Sequence, residues 1–417
     1  MPRAAQKFRI PPGAAGGIDA SAWRRLARLV TDPRAALPAA PAELDALLDR
    51  LRWEGVGAVV ARRRLEAGGT LTEPQRRALS READRHKAAF AATMLAFERL
   101  LGLLAAGGHA PVLLKGLHLA HCYYEAPHLR PMSDMDLLFP DLAEAEEVQR
   151  VLAGHGFTSP YPVSSGSPWD AQYHLPTLRD PQNGALVEIH GSLIFAPRDR
   201  RWRAMRPLLE GLEEIPGLPG RCFGLAPEAN VVFLLAHMFE QHSAEPPRLV
   251  ALADVAAVAE KTGPAFGWER LGALAAGCGC AVPVARGLAL AREYLGLPVP
   301  EPLLERLEQA AGDDLPYTLE TRSANIALQK LGNARNPLVA LRMGLQLLAP
   351  PPAHLRQKYG ERRHWPVALL YPYRWADQAR QLVRFFFRRP EKGRSAPFSP
   401  ADEARAGLAA RVTGEEP

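Results

Sequence analysis

Apolar residues recur at three- and four-residue intervals through most of the first hundred positions, so the chain opens as helix. Asp19 or Ser21 can cap a helix running through Val30. Pro41-Ala-Glu opens another, with Leu44, Leu47, Leu48 and Leu51 on one face, and Glu73–Leu104 predicts one or two long helices. The period then shortens. Ala110–Lys115 reads as a strand stopped by Gly116, Leu117–Tyr124 as one or two helical turns, and Met135–Phe139 as a second strand ending at Pro140. Asp141 is a natural cap for a helix over Leu142–Ala153, closed by Gly154 and Gly156. Two more strands, Tyr173–Arg179 and Ala185–His190, flank the turn Asp180-Pro-Gln-Asn-Gly184. Helical spacing returns in Asn230–Gln241, Leu249–Lys261, Trp268–Gly277, Val282–Leu295, Pro302–Ala311 and Tyr317–Leu331.

These elements predict an α+β protein with a small mixed β-sheet between helical parts. The expected organisation is a loose arm over 1–20, an N-terminal helical segment over 21–108, and an α/β core over 109–222. A C-terminal helical domain follows over 223–348, then a Pro-rich break with an aromatic and basic helical segment over 349–389, then a disordered tail over 390–417.

Composition narrows the classes. With 417 residues, four Cys and a net charge of +6, the chain is neither a disulfide scaffold nor a disordered polyelectrolyte. The N-terminus has no apolar leader, and apolar runs such as Val231–Ala236 are short. The expectation is a cytoplasmic protein without stable membrane insertion. Only seven of the 51 basic residues are Lys, so the basic balance permits a phosphorylated partner without specifying one.

The chemistry concentrates in Leu113-Leu-Lys-Gly-Leu-His and Leu129-Arg-Pro-Met-Ser-Asp-Met-Asp-Leu-Leu-Phe139. On an extended strand Asp134 and Asp136 project together, with Met135 and Leu137 on the opposite face. Two carboxylates on one face repel unless a cation lies between them, and hard oxygen ligands suit Mg²⁺, with Mn²⁺ as the alternative. A bare D-x-D is also what an exposed strand end with two solvated aspartates looks like. In Ala185-Leu-Val-Glu-Ile-His-Gly191, Glu188 and His190 share a face inside an apolar strand. If that strand lies beside Met135–Phe139, Glu188 completes a three-carboxylate cluster. Lys115 and Gly116 sit before a helix start, where backbone N–H groups meet phosphate; Arg130 and Ser133 add further donors.

The series LLKG, YY, LRPMSDMDLLF, VLAGHGF, YHLPTL and VEIHGSL resembles the uncharacterised nucleotidyltransferase family of the polymerase-β-like superfamily, closely over Leu95–Leu193 and loosely through Leu234-Leu-Ala-His237 and Arg248–Asp254. The resemblance implies an Mg²⁺-dependent transfer of a nucleoside monophosphate from an NTP donor to a hydroxyl-bearing acceptor: a protein or peptide, an RNA or a small molecule. It implies that Asp134, Asp136 and Glu188 are the metal-binding and catalytic carboxylates, with Glu188 facing the acceptor. Lys115, Gly116, Arg130, Ser133 and His190 would bind the nucleotide phosphates. Leu117 stands where the wider superfamily commonly has Ser, which leaves Lys115 and backbone amides as the phosphate contacts there.

Other readings remain in view. The same fold could serve as a non-catalytic module for a phosphorylated ligand or nucleic acid, or as a peptide-tailoring transferase using another phosphate-containing donor. His174 and His237 read as structural, and His118 with His121 lacks a third metal ligand. Tyr371-Pro-Tyr-Arg-Trp375 and Arg384-Phe-Phe-Phe-Arg-Arg389 read first as a packed aromatic face. Arg62-Arg-Arg-Leu-Glu66 reads as a solvated helix face.

Overall fold

A computed structural model describes residues 20–67, 71–159, 173–195, 197, 199–241, 248–311, 349, 352, 355 and 365–376. The arm over 1–19, the helix expected over 317–331, the Arg/Phe run over 384–389 and the tail lie outside the described residues. The chain divides into two units, 1–314 and 315–417. In the second, the longest described stretch is 365–376, helical over 367–376, with Leu370 buried and Trp375 exposed.

The first unit has the α+β architecture that the spacing predicts. It opens with α1 (Ala20–Thr31), α2 (Pro41–Trp53), α3 (Gly57–Glu66) and α4 (Glu73–Ala106). Helix α4 is one unbroken element, and a capping box fixes its start: Thr72 Oγ1 accepts from the Gln75 N–H and Gln75 Oε1 from the Thr72 N–H. By length and composition alone α4 is apolar enough to cross a membrane, contrary to the expectation that all apolar stretches fall short. Here its Phe97, Leu100, Leu101 and Leu104 are fully buried in one of the two cores. The charge run on α3 also differs from expectation. Arg63 stays exposed while donating to the Val30 carbonyl at 2.6 Å, but Arg64 is buried and donates to the Pro33 carbonyl, so one of the three arginines is withdrawn from water.

The sheet follows, with β1 (Val112–Leu113), α5 (Lys115–Cys122), β2 (Asp134–Leu138), α6 (Leu142–Gly154), β3 (Leu178–Arg179) and β4 (Leu186–His190). A short helix α7 (Arg200–Met205) and two brief strands, β5 (Glu213–Glu214) and β6 (Phe223–Gly224), complete the core. Strand order is β3-β4-β2-β1-β6-β5. The sheet is mixed: β2 runs parallel to β4 and antiparallel to β1, and β1 runs parallel to β6. Two strands are shorter than their apolar runs. β1 stops because Lys115 already starts α5, and Tyr173–Arg179 is cut at Pro176, leaving β3 and an isolated His174–His190 bridge. Asp141 Oδ1 accepts from the Ala143 N–H at 2.9 Å, capping α6 as its sequence predicts.

Met135, Leu137, Val187 and Ile189 face the core formed with α4 and α6. Their strand neighbours Asp134, Asp136, Glu188 and His190 therefore face the other way. The second, larger core includes the helices α8 (Pro227–Gln241), α9 (Leu249–Thr262), α10 (Trp268–Gly277), α11 (Ala281–Leu295) and α12 (Glu301–Ala311). The α2–α3 turn caps α9: the Leu249 N–H donates to Glu54 Oε2 at 2.9 Å and the Val250 N–H to the Glu54 carbonyl at 3.0 Å.

A buried ion cluster ties α2 to α4. Glu82 accepts from Arg52 Nε at 3.0 Å and Nη2 at 2.6 Å, and its Oε1 lies 3.0 Å from His86 Nε2. Burial alone would raise the Glu82 pKa, but these hydrogen bonds hold it down to about 2. A carboxylate depressed in the folded state stabilises fully above its unfolded value of about 4.5, and that contribution is lost as pH falls towards 2. Glu82→Gln should therefore lower unfolding free energy by about 3 kcal/mol at neutral pH, with the gap to wild type closing below pH ~4.5. Urea unfolding across pH 2.5–7 checks this; a gap independent of pH would refute it.

Candidate active site

The parallel pairing of β2 with β4 sets the register that builds the site. Asp136 stands opposite Glu188, Asp134 opposite Leu186, and Leu138 opposite His190. Asp134, Asp136, Glu188 and His190 thus lie on one sheet face, as the alternation predicts.

Asp136 is the hub and is buried. Its Oδ1 accepts from Lys115 Nζ at 2.8 Å and from His190 Nε2 at 2.9 Å. Burial opposes its charge, yet Lys115 and His190 hold the Asp136 carboxyl far below the usual range. Burial likewise works against the Lys115 ammonium, and the adjacent Asp136 keeps its pKa above the ordinary lysine value. Because Nε2 donates, the neutral His190 ring has its lone pair at Nδ1, which is buried without a hydrogen-bond partner among the described residues. Burial lowers the His190 pKa.

Asp134 differs. Ser133 Oγ at 3.3 Å is its hydrogen-bond neighbour, and no cation lies within ion-pair distance among the described residues. Burial, followed by the Asp136 charge, pushes its pKa up to about 7. Glu188 accepts from Thr177 Oγ1 at 3.2 Å through Oε1, and its Oε2 is 3.9 Å from His190 Nε2. One ligand atom each from Asp136, Glu188 and His190 falls within 4.8 Å of the others. The Asp136 and Glu188 oxygens are hard ligands for a divalent cation, His190 Nε2 being taken up by its proton, and Asp134 adds a carboxylate on the same face with no ion-pair partner among the described residues. The residues present therefore fit a metal.

Lys115 reaches Asp136 through an unusual backbone. It is the first residue of α5 with φ at 45°, the one non-glycine in the left-handed region among the described residues. Gly116 follows because a Cβ there would lie 2.9 Å from Met132 Cβ, in the segment leading to Asp134.

Arg130 does not point its donors at the carboxylates. Its Nε and Nη2 form a bidentate pair with Asp254 of α9 at 2.7 and 2.8 Å, and Nη1 donates to the Pro131 carbonyl. Tyr124 OH also donates to Asp254 at 2.8 Å. Tyr124 and Asp254 lie in the stretches that carry the family resemblance, but the sequence reading assigns neither residue a contact or a site role. A signal was there for Asp254, the acid inside the apolar run Leu249–Ala259. Thr177 gave none. Around His190 the rings of Tyr173 and His174 lie at 5.5 and 5.6 Å between centroids, with Tyr173 6.3 Å from His237 of α8. His118 is buried against Gly224 and the ring of Tyr123, and burial lowers its pKa to about 4. Neither His118 nor His121 belongs to a potential metal group among the described residues.

A mixed sheet that presents carboxylates from two adjacent parallel strands beside a lysine at a helix start is an arrangement that phosphoryl-transfer chemistry can use. The family model described as "Uncharacterised nucleotidyltransferase" matches residues 40–296, more than half of the chain, and the protein belongs to that family. It is an enzyme of the nucleotidyltransferase class. No curated protein and no solved structure gives a significant match to the chain.

Proposed function

We propose that the protein transfers a nucleoside monophosphate from an NTP to a hydroxyl-bearing acceptor, with Mg²⁺ or Mn²⁺ as the working ion. The observation that carries this reading is the Asp136–Glu188 register pair, with Asp134 on the same face and Lys115 against Asp136. Asp134 and Asp136, joined by Glu188, would hold the divalent ion. Such an ion supplies charge neutralisation to the triphosphate and polarises its α-phosphorus.

The chain's own groups do the rest. Lys115 places a positive charge where donor phosphates gather, and the α5 start offers backbone N–H groups beside Gly116. Thr177 fixes one Glu188 oxygen, leaving the other to take the proton of the acceptor hydroxyl. The acceptor oxygen bonds to the α-phosphorus as the α–β bridging bond breaks, and pyrophosphate departs. No covalent enzyme intermediate is required.

The test is incubation of pure protein with each α-³²P-labelled NTP, Mg²⁺ or Mn²⁺, and cell lysate, followed by separation of protein, RNA and small-molecule fractions. Label should appear in one fraction and be absent with Asp134→Asn. No label from any NTP, with no metal-dependent NTP binding, would sink the reading.

A further inference from the structure

The sheet face that carries the carboxylates extends one segment beyond the two strands that bear them. His190 stands opposite Leu138 of β2 on one side and, on the other, opposite His174 through the antiparallel bridge. The Leu175 N–H donates to the Ile189 carbonyl at 2.8 Å and the Gly191 N–H to the Tyr173 carbonyl at 3.0 Å. These bonds flank the His174–His190 pair, which makes it the close type of antiparallel pair, with both side chains on one face. Leu178 pairs with Val187, so Pro176 and Thr177 together oppose Glu188 as a bulge. The segment thus adds His174 and Thr177 to the face, and Thr177 is already bonded to Glu188.

His174 brings an uncommitted lone pair. Its Nδ1 lies 2.8 Å from the Leu175 carbonyl, which can only accept, so Nδ1 carries the proton and the neutral ring has its lone pair at Nε2. Nε2 makes no hydrogen bond among the described residues, and His174 is half-buried where His190 is fully enclosed. Edge-on contact with Tyr173 at 4.7 Å between centroids, and with His190 at 5.6 Å, holds the ring in place. A lone pair turns away phosphate oxygens and takes an O–H or N–H. Strand order separates the two jobs: Lys115 follows β1, the carboxylates lie on β2 and β4, and His174 lies beyond β4. Donor phosphates gather on the Lys115 side, which leaves the His174 side, next to Glu188, for the acceptor. We infer that His174 Nε2 binds the acceptor, accepting a hydrogen bond from an O–H or N–H group that neighbours the reacting hydroxyl. Adjacent strands lie about 5 Å apart, so the acceptor carries this second donor roughly that far from the first. The inference rests on the nucleotidyl-transfer reading for the roles of Lys115 and Glu188.

Two measurements test it. In the first, wild type is treated with diethyl pyrocarbonate, which attacks an imidazole lone pair, and modified histidines are mapped by mass spectrometry with exposed His155 as internal reference. His174 should react, and the lysate fraction that takes the label should slow that reaction, while Mg²⁺-NTP alone should not. In the second, label transfer is followed against rising amounts of the same fraction for wild type, His174→Phe and His174→Gln. Calorimetry gives the Mg²⁺-NTP affinity of each, and circular dichroism its fold. Phe keeps the ring contacts without the lone pair, and Gln restores a hydrogen-bond acceptor. His174→Phe should raise the half-saturating amount about threefold to tenfold, as loss of one hydrogen bond predicts, with NTP affinity unchanged; His174→Gln should recover part. An unreactive His174, a His174 that the accepting fraction does not protect, or a folded His174→Phe with the wild-type half-saturating amount overturns the inference. So does an equal loss of NTP affinity, which would put His174 on the donor side. If label transfer depends on Asp134 while His174 is neither protected nor required, only this inference fails. Absence of label in every fraction is instead the failure of the functional reading, and the inference falls with it.

Discussion

Asp134→Asn is expected to reduce nucleotidyl transfer by about a thousandfold or more while leaving the metal-free protein as stable as wild type, or more stable. The two effects have one cause. Asp134 is a carboxylate held in a site that pushes its pKa up to about 7, chiefly by burial and next by Asp136. Ser133 is a weak hydrogen-bond neighbour at 3.3 Å, and no ion-pair partner stands near among the described residues. An isosteric amide removes the repulsion with Asp136 and the desolvation of a charge, while deleting a metal ligand. A site residue that costs stability and is retained for chemistry gives this pattern. The measurements are label transfer and thermal melting in chelator-treated buffer. Full activity would remove Asp134 from the proposed site, and a large fall in melting temperature would show that it serves the fold.

Asp254→Ala should give the largest loss of stability of any single change around the site, about 3–5 kcal/mol. Asp254 is buried and the Arg130 side chain is only 13% exposed, and Ala would leave the guanidinium without its bidentate partner and Tyr124 without its acceptor. Burial opposes the Arg130 charge, but Asp254 raises its pKa above the usual value, so the cation cannot escape by losing its proton. The effect should reach the chemistry as well. Arg130 precedes Asp134 by four residues, and its clamp on α9 fixes the segment 131–133 that delivers β2 to the site. Denaturant unfolding and transfer assays on Asp254→Ala check both parts. A paired change to Arg130→Met and Asp254→Leu should recover most of the stability, since two apolar residues leave no orphaned charge. A wild-type unfolding midpoint for Asp254→Ala would refute the argument.

Much of this site was legible because strand alternation is a strict rule. Met135, Leu137, Val187 and Ile189 are apolar at every second position, so Asp134, Asp136, Glu188 and His190 had to share the other face. That β4 runs parallel beside β2 was a condition the sequence could state but not prove, since register depends on contacts between segments fifty residues apart. The role of Arg130 was invisible for the same reason. Nothing local says that its partner is Asp254, 124 positions later. Strands β5 and β6, with two residues each, are too short to carry a period. On α3 only Arg64 departs from the solvated face that the run suggests, because the carbonyl it meets, that of Pro33, lies just past the end of α1 and 31 positions earlier in the chain.

The grip of Glu54 on the start of α9, together with the four large side chains that α4 places in the sheet's core, bears on how this enzyme can be divided. A fragment beginning at residue 109 would contain all the carboxylates of the site. It would also lay bare the sheet face that Phe97, Leu100, Leu101 and Leu104 cover, at roughly 1.5–3 kcal/mol for each side chain. The α9 amides would lose their cap, and with them the footing of Asp254. The segment ahead of the motifs is thus as much a part of the enzyme as the motifs themselves, and a truncated chain that fails to act would say nothing about the chemistry.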